Sequence, residues 1–201
     1  PDPESIGILL SSYYRLTLKG YNIGLIAMRD YDDDSGKCSR AIFNKGERID
    51  GSNCIIEDCI ISSGSLIPKK AYERVGGMDD RLFIDSVDFE YCWRLQAHGF
   101  ITVRNNDSLL SHRLGVGTKT ILGIIHIAVF APFRHYYQFR NVLLLMKRGY
   151  APFYWKVSNF VKLVVQLLIY PFFLDDGRSR FKYMLRGIKD AVMNKYGGII
   201  C

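Results

Sequence analysis

Apolar residues recur along the chain with two periods, one helical and one strand-like. Across residues 3–19, Ile6, Leu9, Leu10, Tyr13, Tyr14, Leu16 and Leu18 form a broad face at helical spacing. Pro3 sits where a first turn tolerates it, and Gly20 supplies the stop. Residues 22–28 are a short, nearly continuous apolar run, which predicts a buried strand, and a polar segment, 30–36, follows. Residues 60–68 read as a strand with a small-residue centre, Ser62-Ser63-Gly64-Ser65, a composition that lets another group approach the backbone closely. Residues 69–75 read as a short helix halted by Gly76-Gly77. A longer helix opens near Asp85 and closes at Gly99. Beyond it, 100–103 and 109–113 read as strands separated by a turn at 104–107.

The pattern changes after Thr120. Residues 121–133 are about as apolar as a membrane segment, but 13 residues fall short of the roughly 20 a span requires. Residues 135–148 predict a helix ending in Lys147-Arg148-Gly149, a favourable arrangement for the helix dipole. Between Pro152 and Pro171 the polar residues Lys156, Asn159, Lys162 and Gln166 recur at spacings of three and four, inside an otherwise apolar helix. Such a helix suits a membrane interface, and a helix packed on its own domain gives the same pattern.

Charge sharpens this division. Residues 1–133 hold 15 Lys+Arg against 17 Asp+Glu, whereas residues 134–201 hold 12 against 3, so the net charge of +7 belongs to the C-terminal third. Together with the basic residues Arg178, Arg180, Lys182, Arg186 and Lys189, this favours an anionic bilayer as partner. Nucleic acid is not expected, because no recognition motif accompanies these charges. The chain divides on this reading into residues 1–118 and a basic amphipathic helical region, 119–201, that associates with the membrane. Its 48% hydrophobic and 23% charged residues describe a globular protein. Five cysteines at irregular spacing make a disulfide framework or a zinc site a poor reading and fit a reducing compartment. Asp32-Asp33-Asp34 has the spacing of a hard-cation site, but Ser35-Gly36-Lys37 follows as in a hairpin tip, which favours a solvated acidic turn.

The densest candidate chemistry is residues 83–94, Phe-Ile-Asp-Ser-Val-Asp-Phe-Glu-Tyr-Cys-Trp-Arg, where Asp85, Asp88 and Glu90 lie within six residues at a helix start. Two readings stand side by side. Asp85 and Asp88 can be helix caps and Glu90 with Arg94 an ordinary ion pair. Alternatively, carboxylates kept ionised by a helix N-terminus supply a general base.

In order, Ser63-Gly64-Ser65-Leu66-Ile67, Val75-Gly76-Gly77-Met78-Asp79, residues 83–94, Leu110-Ser111-His112-Arg113-Leu114-Gly115 and Tyr136-Tyr137-Gln138-Phe139-Arg140-Asn141 make the chain resemble the inverting family 2 glycosyltransferases. The resemblance is strongest to the bacterial rhamnosyltransferases of O-antigen and capsular polysaccharide synthesis. It implies an α/β fold, the C-terminal part of a GT-A domain followed by an appended α-helical region. It also implies transfer of L-rhamnose from dTDP-L-rhamnose to a lipid-linked saccharide acceptor, on the cytoplasmic face of the cell membrane, with an oligomer allowed. Asp88 matches the general base. Asp85, Glu90, Gly64 and Asp79 match acceptor-side positions, His112 and Arg113 the donor diphosphate, and His112 also a ligand of the Mg2+ or Mn2+ that the family employs. The family's Asp-x-Asp metal motif would precede Pro1, so the resemblance implies a fragment lacking its nucleotide-binding half and inactive alone. The alternative is a non-catalytic membrane-surface or scaffolding module of the same fold.

Overall fold

A computed structural model describes residues 3–32, 37–38, 46–111, 117–121 and 125–199. The chain is mixed α/β and forms two compact units, Pro1–Met78 with Asp88–Leu114, and Asp79–Val87 with Gly115–Cys201. The second unit thus reclaims a short segment from the middle of the first.

The first unit opens with helix α1, Pro3–Leu18, and strand β1, Ile23–Asp32. β1 alternates in the way a strand covered on both faces must. Ile26 and Met28 pack with Leu9 and Leu16 of α1, while Leu25 and Ala27 pack against Ala71, Tyr91 and Leu95 on the other side. Those partners come from helices α2, Lys69–Val75, and α3, Val87–Ala97. Around β1 the sheet is completed by β2, Lys37–Cys38; β3, Glu47–Arg48; β4, Cys54–Ile56; β5, Ser65–Leu66; and β6, Ile101–Ser111. Its order is β2-β1-β6-β4-β3, with β5 also on β1. β1 and β6 are parallel; every other pairing in this sheet is antiparallel.

Two elements depart from the expectation, and the acidic segment agrees with it. β6 is one strand where two strands and a turn were predicted. Its register on β1 jumps from Met28↔Asn105 to Arg29↔Leu109, so Asn106, Asp107 and Ser108 bulge out, and the Asn105 side-chain oxygen accepts from the Asp107 N–H at 2.8 Å. The turn-forming residues are real, but the strand absorbs them. Of the strand expected over 60–68, only Ser65–Leu66 pairs. The acidic segment follows a hairpin, since β1 and β2 pair Tyr31↔Cys38 and Asp32↔Lys37, and Asp33 and Asp34 lie outside the described residues.

The second unit does not begin as a helix. β7, Gly117–Ile121, and β8, Ile125–Val129, form an antiparallel hairpin over much of the apolar segment. Helices α4, Arg134–Met146; α5, Phe153–Phe173; and α6, Gly177–Val192, follow. α6 crosses α4 at Gly187, where a Cβ would stand 2.5 Å from the Tyr136 carbonyl oxygen, and Tyr136 donates its hydroxyl to Asp190 at 3.0 Å. Buried His135 accepts at Nε2 from Arg180 at 2.9 Å, which places its proton on Nδ1, facing the Gln138 carbonyl oxygen. Burial first, and the Arg180 charge next, lower its pKa to about 4.

Candidate functional site

In the second unit, residues 79–86 approach the start of α3 in an unusual backbone. Asp79 caps the single 3-10 turn Asp80–Leu82 by accepting from the Arg81 N–H at 3.3 Å. Phe83 then stands at φ 66°, ψ −63°, the rare positive-φ γ-turn, closed by the Ile84 N–H on the Leu82 carbonyl at 2.8 Å. Asp85 and Ser86 follow at φ 68° and 63°. Three positive-φ residues without glycine, each costing on the order of 1–3 kcal/mol, persist only where surrounding contacts over-determine them.

Helix α4 supplies those contacts. Fully buried Asn141 donates its side-chain amide to the carbonyls of Leu82, Ile84 and Asp85 at 3.0, 2.6 and 2.9 Å. Arg140, also fully buried, donates to the Leu82 carbonyl at 2.9 Å and to that of Gly197, and lies over the rings of Tyr136 and Tyr137. Tyr137 stacks on Phe83 with centroids 5.1 Å apart. Arg134 binds the Asp85 carboxylate at 2.6 Å. Arg148, two residues past the end of α4, binds Asp79, which Arg81 also grips through both oxygens at 2.8 and 3.0 Å. Burial would raise the Asp79 pKa, but Arg81 and Arg148 outweigh it and hold the carboxyl at about 2.

The first unit carries the other two acids on α3. Glu90 is completely buried and holds Arg94 in a bidentate pair at 2.9 and 3.0 Å. Arg94 in turn donates to the carbonyls of Val75 and Gly77, fixing the Gly-Gly turn, where Gly76 has φ 80°. Asp88 occupies the first turn of α3 and is half-buried. Among the described residues no hydrogen bond or ion pair engages its carboxylate, so it faces the helix N-terminal field uncompensated by any cation.

The expected site residues therefore fall into different environments. Asp79, Asp85 and Glu90, expected at the acceptor, each have an arginine on the carboxylate. The helix begins at Val87, so the capping role considered for Asp85 gives way to its pair with Arg134. Gly64, at φ 65°, lies against Leu110 and Met28, which a Cβ would meet at 2.9 and 3.4 Å. His112 and Arg113 lie outside the described residues. The described residues contain no cluster of three His, Cys, Asp or Glu side chains able to ligate a metal, so the Mg2+ or Mn2+ implied by the resemblance has no fitting donor set among them. Reading the sequence missed Arg134, Arg140, Asn141 and Arg148 as a set, although Arg140-Asn141 ended a recognisable motif. An arginine and an asparagine deep in an otherwise apolar helix are the visible signal, because such groups must find acceptors.

No protein-family model matches the chain, and no solved structure matches it. The chain is similar to the dTDP-rhamnosyl transferase RfbF of Shigella flexneri, with 32% identity over 128 residues. That alignment takes in 64% of this chain and 42% of the relative, so the chain spans less than half the length of the curated protein it matches.

Proposed function

We propose that the chain carries the acceptor-side part of an inverting glycosyltransferase of GT-A type that moves L-rhamnose from dTDP-L-rhamnose to a saccharide acceptor. The similarity to a dTDP-rhamnosyl transferase supports the reaction class. The observation that carries the residue assignment is the division among four neighbouring acids: Asp79, Asp85 and Glu90 are bound by arginines, and among the described residues Asp88 is not. A carboxylate already held by a guanidinium is a poor proton acceptor, because taking the proton costs the ion pair. Asp88 bears no such cost. In the step, the acceptor hydroxyl oxygen forms a bond to the anomeric carbon from the face opposite the leaving group. The bond from that carbon to the diphosphate oxygen breaks, and dTDP leaves with the electron pair. Asp88 takes the hydroxyl proton.

The test is Asp88→Asn in the full-length enzyme, assayed for release of dTDP in the presence of acceptor. The expected loss is at least ~100-fold in kcat, with the melting temperature retained. Turnover near that of the unmodified enzyme sinks the assignment.

A further inference from the structure

Helix α5 is packed inside out. The residues it buries are Trp155, Leu163 and Gln166, and its polar groups are used along or beside that inner face: Lys156 donates to the Arg148 carbonyl at 2.8 Å, Asn159 to the Trp155 carbonyl at 3.0 Å, and Gln166 to the Tyr170 hydroxyl at 3.3 Å. Its outer face is the apolar one, with Phe153 79%, Phe160 54%, Leu168 65% and Phe172 82% exposed and valines between them. A soluble helix places these residues the other way round. Contiguous apolar surface on this scale marks an interaction site rather than the scattered exposure every protein shows.

The neighbouring helix α6 identifies the partner. Its exposed residues include Phe181, Leu185 and Val192, interspersed with Arg178, Lys182, Arg186 and Lys189. From Arg134 onward the only acids are Asp175, Asp176 and Asp190, and Asp190 is buried. An apolar face rimmed by cations complements a bilayer with anionic headgroups, the acyl boundary taking the phenylalanines and the headgroups the lysines and arginines. A second copy docking on the same face would oppose two surfaces of the same positive sign. Crossing the bilayer is disfavoured too. α5 is long and apolar enough to span, but one side is committed to its own unit and exposed Lys162 sits at mid-helix.

We infer that the outer faces of α5 and α6 form a docking surface that lies in the plane of an anionic membrane interface. This extends beyond the transferase reading and does not depend on it, since the assay needs no sugar nucleotide. The chain is mixed with vesicles of phosphatidylglycerol in phosphatidylcholine, and with phosphatidylcholine alone, and floated on a density gradient. Co-flotation with the anionic vesicles is expected, weakened at least ~10-fold by Arg178→Glu/Lys182→Glu and by raised salt. Phe160→Asp/Leu168→Asp is expected to weaken it as strongly, with circular dichroism confirming the fold; should that variant unfold, the α6 pair decides alone. Absence of vesicle binding overturns the proposal. So does a stable dimer in sedimentation that Phe160→Asp dissociates, because a second copy would then be the occupant.

Discussion

Helices α4 and α5 follow one another in the same unit and reverse the usual relation between hydropathy and burial. α4 carries Arg140 and Asn141 and buries both completely, while α5 is the more apolar and buries three residues. What decides burial is the supply of partners. α4 faces a strained segment whose carbonyls require donors, and its arginine and asparagine meet that need. α5 presents apolar side chains where the described residues offer nothing to cover them.

The contrast can be broken at several points. The largest effect is expected at Arg140→Ala, which removes the side-chain donor to the Gly197 carbonyl and one of the donors to the Leu82 carbonyl and opens a void; urea unfolding should register a loss of about 4 kcal/mol. Next comes His135 near the start of α4. Its folded pKa of about 4 lies below its ordinary 6.5, so between those values the unfolded chain binds more protons and stability falls as pH falls. That window is worth on the order of 3 kcal/mol, and a His135→Gln variant should lose the dependence when unfolding is followed across it. Asn141→Ala should cost about 2 kcal/mol by taking its amide donor from the Ile84 and Asp85 carbonyls, that of Leu82 keeping its bond from Arg140. The smallest effect belongs to α5: Leu168→Ser, at an outward position, should change the free energy of urea unfolding by no more than ~0.5 kcal/mol in the absence of lipid.

Much of this was legible in the residues themselves. The helical periods of α1 to α5 and the glycine stops at Gly20, Gly76 and Gly99 correspond to observed elements, because local spacing and backbone freedom determine them. The polar run at Asn105–Ser108 misled, since a bulge and a turn draw on the same residue types. The direction of α5 was open, as a polar stripe fits either an outward or an inward side and tertiary packing chooses. For the acidic run, sequence marked the right stretch but could not separate its members. Which carboxylate meets a guanidinium depends on Arg134 and Arg148, 49 and 69 residues away from their partners.

That separation is the centre of the account, and a single urea-unfolding series on the chain measures it: Asp79→Asn, Asp85→Asn, Glu90→Gln and Asp88→Asn. The first three should each cost at least about 1 kcal/mol, with Glu90→Gln the most severe because the Glu90 carboxylate is completely buried against Arg94. Asp88→Asn should leave stability within ~0.5 kcal/mol of the unmodified chain. A loss at Asp88 as large as at the other three would make it a structural acid like its neighbours, and would contradict the account.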